Sequence, residues 1–134
     1  MKVIFGDSKS GHSFQKELEK GTEKSLIGKK LGDEIEGGLI GLEGYKLKIT
    51  GGSDKDGFPM RNGIRARSKV LMAHGPGVAK MKFGMKVKKR VAGQTITEGT
   101  AQVNCKITTA GPKSFADLGF VPKTKEAKAA ETKK

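Results

Sequence analysis

The sequence predicts a mostly β fold: a small β-barrel-like core with glycine-rich turns, little helix and a flexible basic carboxy-terminal tail. Three observations predict it. Glycine supplies 20 of the 134 residues, a content that favours strands and turns over long helices. Several short segments alternate apolar and polar residues with the two-residue period of a strand. These segments recur at short spacing with glycine turns between them, as in a small barrel or sandwich. The length suits one domain with a tail. Hydrophobic residues are 34% of the chain, enough for a modest core but not for that of a large enzyme. We assign residues 1–110 to the domain, with a basic segment at 61–92, and residues 111–134 to the extension.

Residues 1–5 read as the first strand, ended by Gly6 and Asp7, with a turn over 7–11. In 12–19, Phe14 and Leu18 fit one face of a helix and equally one face of a strand. The glycine-rich context favours a strand paired with the first as a hairpin. Residues 22–27 suit one short helical turn with Thr22 as its cap. The run Leu31-Gly32-Asp33-Glu34-Ile35 reads as an ordinary Gly-Asp turn. It also resembles the GD box of cradle-loop β-barrels, where glycine permits the turn and aspartate ties it to a neighbouring strand.

Tyr45, Leu47 and Ile49 alternate with Lys46, Lys48 and Thr50, which predicts a strand. It leads into the most distinctive run of the chain, Ile49-Thr50-Gly51-Gly52-Ser53-Asp54-Lys55-Asp56-Gly57-Phe58-Pro59-Met60. We read this as a strand end followed by a rigid corner with an apolar plug. Gly51, Gly52 and Gly57 permit positive φ. Asp54 and Asp56 suit Asx turns, and Pro59 fixes φ between Phe58 and Met60.

Residues 70–73 form the next apolar segment, and Gly75-Pro76-Gly77 is a turn. Residues 85–91 read as a strand with a cationic stripe on Lys86, Lys88 and Arg90, side chains two apart lying about 6.6 Å from each other on one face. After a turn over 93–99, residues 101–108 return as a half-buried strand with Ala101, Val103, Cys105 and Ile107 inward. Cys105 is then a small core residue. Gly111-Pro112 ends the pattern, Leu118, Phe120 and Val121 suggest a short hydrophobic clip, and the residues after Pro122 suggest a flexible tail.

Charge is unevenly placed. Residues 1–60 hold 10 basic and 10 acidic residues, whereas residues 61–134 hold 17 basic and 4 acidic. The whole excess of +13 therefore follows Met60, and residues 61–90 hold ten basic residues and no acid. A neutral half joined to a basic half suggests a fold plus a polyanion-binding surface. Lysine and arginine neutralise phosphates and release counterions, giving affinity without sequence readout. Arg61, Arg65 and Arg67 suit bidentate phosphate forks, and Lys55 suits a contact from the corner itself. Lys69, Lys80, Lys82, Lys86, Lys88, Lys89 and Arg90 complete the expected RNA-binding set. Aromatic residues are only 5%, so contact by shape and backbone charge is expected rather than base stacking.

Other chemistries fit poorly. Gly28-Lys29 is followed by Lys30 and preceded by no phosphate-loop glycine, since Glu23 stands there. The Gly75 turn lacks the third glycine of a dinucleotide site, and Phe58 stands where a calcium loop needs its third acid. Asp54, Asp56 and His74 have no spacing that would unite them as a hydrolase centre. One cysteine excludes an intramolecular disulfide, and neither it nor His12 and His74 has a partner at metal-ligand spacing. No apolar run approaches the ~20 residues of a membrane span, and the early charges of the amino terminus do not suit a signal peptide. A soluble, cytoplasmic protein is expected.

The run Ile-Thr-Gly-Gly-x-Asp-x-x-Gly-x-Pro-Met at 49–60 resembles the hallmark of the small-subunit ribosomal protein family S-six-e of archaea and eukaryotes. The similarity extends to 26–35, to Gly38-Leu-Ile-Gly-Leu-Glu-Gly-Tyr45, to Gly75-Pro-Gly-Val78 and to Lys89-Arg-Val-Ala-Gly-Gln-Thr-Ile96. The resemblance implies a structural component of the small ribosomal subunit, seated on ribosomal RNA beside other ribosomal proteins, with no enzyme activity and no cofactor. Met81, Phe83 and Met85 interleave with lysines where the family is often denser in arginine. Eukaryotic members carry a long basic carboxy-terminal helix with phosphorylated serines, so an archaeal source is expected here. A basic nucleic-acid-binding module outside the ribosome is the alternative that uses the same charges.

Overall fold

The computed structural model describes residues 1–8, 10–78, 82, 84–111 and 115. Alternation decides which face of each strand turns inward. β1 (Lys2–Gly6) buries Val3 and Phe5, and β2 (Ser13–Glu17) buries Phe14. They pair antiparallel with Phe5 opposite Phe14, ring centroids 5.6 Å apart. The strand reading of 12–19 therefore holds, over a shorter span.

α1 (Lys20–Leu26) begins before Thr22, so Thr22 lies inside the helix rather than at its cap. Glu19 occupies the cap position without a side-chain bond. The helix is held from outside instead: Leu26 is fully buried, and Glu23 pairs with the amino terminus of Met1.

The Gly32-Asp33 turn leads into β3 (Glu34–Glu36). Gly32 has a φ of 95°, a value that favours glycine. The Gly32 N–H donates to the Ile49 carbonyl at 2.9 Å, and the Ile49 N–H donates to the Asp33 carbonyl at 2.9 Å. Main chain therefore ties this turn to its neighbour. The Asp33 carboxylate closes the turn on itself, accepting from the Lys30 N–H at 2.8 Å. A 3-10 helix (Gly37–Ile40) follows.

The longest strands are β4 (Lys46–Asp54) and β7 (Thr100–Thr109), and they pair antiparallel. The sheet order is β2-β1-β7-β4-β3, with β1 and β7 parallel and the other neighbours antiparallel. Val3 faces Val103, Phe5 faces Cys105, Ile49 faces Cys105 and Leu47 faces Ile107, so one continuous face is apolar. Leu26, Ile40, Leu42, Met60 and Ile96 join it in one core. Burial pushes the Cys105 thiol up from 9.0 to about 12, which fits its expected place in the core. Phe115 lies against Phe14 and Tyr45, 5.2 Å from each ring.

The mostly β class is the one observed. Barrel closure is not: among the described residues the sheet is open, with β2 and β3 as its edges. α1 and the 3-10 helix touch each other and send Leu26 and Ile40 into the core. Side chains from these helical turns thus fill part of the core beside the open sheet.

β5 (Ser68–Met72) and β6 (Val87–Val91) form a separate antiparallel ribbon. Lys86 precedes β6, so the expected stripe loses its first member to the loop. Met72, Val78 and Val91 make a second small core under the ribbon. A single bridge joins Met60 to Ala92, just past the end of β6, and another folds Pro59 back onto Ser53 of β4. The expected clip of Leu118, Phe120 and Val121 and the tail lie outside the described residues, as do Lys80, Met81 and Phe83. Among the described residues no helix is long and apolar enough to cross a membrane.

Candidate nucleic-acid interface

The run 49–60 behaves differently from its expected loop. β4 continues through Gly51 and Gly52 to Asp54, with a register shift against β7 between Ile49 and Gly51. Gly52 is needed for close approach rather than for positive φ. A Cβ there would sit 2.4 Å from the Gln102 carbonyl oxygen and 2.9 Å from Met60 Sδ. Of the three glycines in the run, Gly57 alone has a positive φ, 79°. The loop after Asp54 is closed by its own backbone. The Asp56 N–H donates to Asp54 Oδ1 and the Gly57 N–H to the Asp54 carbonyl, both at 2.9 Å. The Asp54 N–H donates to the Phe58 carbonyl at 3.0 Å. Asp54 thus forms the expected Asx turn.

The apolar plug is Met60 alone, which is 4% exposed. Phe58 is half-buried and joins neither core. Pro59 receives the Gly75-Pro76-Gly77 turn, where a Cβ on Gly77 would lie 3.0 Å from Pro59 Cγ. Two motifs far apart in the chain therefore share one corner.

The three arginines expected as forks have three different surroundings. Arg67 Nη1 pairs with Asp56 Oδ2 at 2.5 Å and Asp54 Oδ2 at 3.4 Å. Its guanidinium also lies 4.6 Å from the Phe58 ring centroid. Arg61 is half-buried and donates from Nη1 to Met72 Sδ at 2.7 Å and the His74 carbonyl at 3.4 Å. Arg61 and Arg67 are thus engaged within the fold. Arg65 is exposed and lines a cleft of about 180 Å³ with Asp54, Gly93, Thr95 and Thr97. Lys55 is exposed on the corner.

The ribbon collects the next group. Lys69 faces Arg90 and Leu71 faces Lys88 across the two strands. All four are exposed, Leu71 at 60%. The opposite face turns Val70, Met72 and Val91 toward the small core, with Val87 half-buried on the same face and Lys89 exposed beside Val70. No described acid pairs with Lys69, Lys88, Lys89 or Arg90. Arg90 lies 5.8 Å from the Phe58 ring, on the ring that also meets Arg67. Lys82 and Lys86 are exposed nearby in sequence. Sequence reasoning found these charges but missed the pairing of Lys69 with Arg90. The alternation of Val70 and Met72 with Lys69 and Leu71 was the signal that could have found it. Among the described residues no group of three His, Cys, Asp or Glu side chains is placed to hold a metal.

The geometry defines a small, mostly β protein whose acid-free cationic ribbon adjoins a sheet of mixed charge. Residues 1–119 match the family described as Ribosomal protein S6e. Several archaeal relatives carry the name small ribosomal subunit protein eS6. That of Methanococcus maripaludis (strain C6) is 46% identical over 127 residues, covering 93% of this chain and 98% of the relative. That of Methanosphaera stadtmanae is 39% identical over 127 residues, covering 93% and 96%. That of Methanospirillum hungatei is 39% identical over 132 residues, covering 97% of each. The chain belongs to the Ribosomal protein S6e family, whose members are structural proteins rather than enzymes.

Proposed function

We propose that this chain is a structural constituent of the small ribosomal subunit that binds ribosomal RNA through backbone phosphates and acts in translation. Family membership and the names of the archaeal relatives support the ribosomal role and its cytoplasmic location. The RNA-binding reading is carried by one observation: Lys69, Lys88 and Arg90 share the exposed face of the β5–β6 ribbon with no described acid among them. Ordinary surfaces mix signs. A single-sign row on a two-stranded ribbon suits a phosphate backbone, whose charges are read by position rather than by base.

Lys69, Lys82, Lys86, Lys88, Lys89 and Arg90 supply the main contacts, with Lys80 in the same segment. Lys55 and Arg65 flank them. Arg61 and Arg67 serve first as internal braces. Gly51, Gly52, Asp54, Asp56, Gly57 and Pro59 set the corner from which the ribbon departs. Residues 1–110 act as the binding domain, and 111–134 as an extension, anchored at Phe115 against Phe14 and Tyr45.

Co-sedimentation with small subunits across a salt series tests this reading. Binding at low salt should fall steeply as salt rises, because each neutralised phosphate contributes a slope of about 0.7–0.9 to the dependence of affinity on salt. A chain that stays in the free fraction at low salt overturns the proposal.

A further inference from the structure

Two acids sit beside the proposed phosphate-binding face, where they would repel its ligand. Asp54 and Asp56 both pair with Arg67, at 3.4 and 2.5 Å. Arg67 in turn lies over the Phe58 ring at 4.6 Å, and Arg90 approaches the same ring at 5.8 Å. Both distances fall within the ~6 Å reach of a cation–π contact. Two guanidinium groups sharing one ring repel each other unless one is neutralised. Here Arg67 has two carboxylates, whereas no described acid pairs with Arg90.

We infer that Phe58 is a platform that orients the Arg90 guanidinium as a phosphate fork, and that Asp54 and Asp56 hold this platform through Arg67. The inference deepens the RNA-binding reading above and rests on it. A guanidinium held against a ring keeps its planar donor set pre-organised for two phosphate oxygens. Less side-chain freedom is then lost on binding. A lysine at the same place carries the charge but not the plane. Phe58 is a positioning residue in this scheme, and Arg90 touches the ligand.

The test measures affinity of the full chain for purified small-subunit ribosomal RNA by filter binding across a salt series. Phe58→Leu should weaken binding about three- to ten-fold at every salt concentration, with an unchanged salt slope because no charge is lost. Phe58→Tyr, which keeps a ring, should bind like the wild type. Arg90→Lys should lose as much as Phe58→Leu, and the double variant should lose no more than either single one. Wild-type affinity in Phe58→Leu, or additive losses in the double variant, overturns the platform. In that case Lys69→Gln and Lys88→Gln still flatten the slope and the RNA reading stands. If neither they nor Arg90→Gln weaken binding, the RNA reading itself fails. Should Phe58→Leu not fold by circular dichroism, Arg90→Lys decides: wild-type affinity overturns the inference, and a loss with Phe58→Tyr intact upholds it.

Discussion

Among the described residues, the main sheet packs 16 buried side chains into one cluster, whereas the β5–β6 ribbon rests on three, Met72, Val78 and Val91. Their surfaces differ as sharply. The sheet mixes signs, as in the exposed pair of Lys2 and Glu17 at 3.3 Å. The ribbon places Lys69 directly opposite Arg90, an arrangement that costs stability because like charges across a strand pair repel. A segment that keeps such a repulsion over so small a core is not arranged for its own stability. The difference assigns folding energy to the sheet and suits the ribbon to the phosphate-binding role proposed above, with 49–60 as the joint between them.

The strongest way to break that division is to empty the core of the sheet. Phe5 is fully buried and touches the Phe14 ring, so Phe5→Ala should cost about 3–5 kcal/mol in urea unfolding. A loss under 1 kcal/mol would show that the sheet does not carry the fold. Its neighbour Cys105 adds a pH signature. The folded thiol is pushed up to about 12 from 9.0, so the folded state keeps its proton where the unfolded state gives it up. This contribution is fully present below pH 9 and is lost as pH rises toward 12. Cys105→Ala should therefore flatten the fall in stability across that window relative to wild type.

The ribbon core should respond less. Met72 is buried in the smaller cluster and also accepts from Arg61 Nη1 at 2.7 Å. Met72→Ala should cost about 2 kcal/mol, the low end for such truncations, because a thin cluster can collapse around the gap. A cost equal to that of Phe5→Ala, read by the same urea unfolding, would mean that sheet and ribbon unfold as one tightly coupled body.

At the joint, Gly57 holds a φ of 79° in open space. Gly57→Ala should cost about 1–2 kcal/mol from backbone strain alone, as measured by thermal or urea unfolding. The expectation that Gly51, Gly52 and Gly57 use positive φ in a rigid corner was correct only at Gly57. Gly51 and Gly52 look like loop glycines in the sequence, yet they lie inside β4, and Gly52 answers to Gln102 some fifty residues away. Local alternation made β1, β4 and β7 legible, because a strand's buried face is written into its own residues, whereas β2 was decided by its glycine-rich context. Pairings between distant segments were not. The parallel contact of β1 with β7, the docking of Phe115 and the hold of Asp54 and Asp56 on Arg67 join residues whose own sequence neighbourhoods carry no mark of the partner. The charge map located the basic half but could not separate Arg67, which is internally paired, from Arg90, which has no described acid partner.

The smallest effect on stability should accompany a clear effect on binding. Lys69 is exposed and opposes Arg90. Lys69→Gln removes a repulsion between directly opposed cations, so stability should hold or rise by about 0.2–1 kcal/mol. RNA affinity should fall uniformly across RNA sequences, and the salt slope should drop by about one. Arg67→Gln gives the contrasting case. Arg67 is already paired with two carboxylates, so removing it should destabilise the corner while flattening the slope less than Lys69→Gln does. Unfolding and salt-dependent binding on the same two variants separate the roles. If Arg67→Gln flattens the slope more, Arg67 turns from its acids to the phosphates on binding, and the joint itself becomes part of the interface.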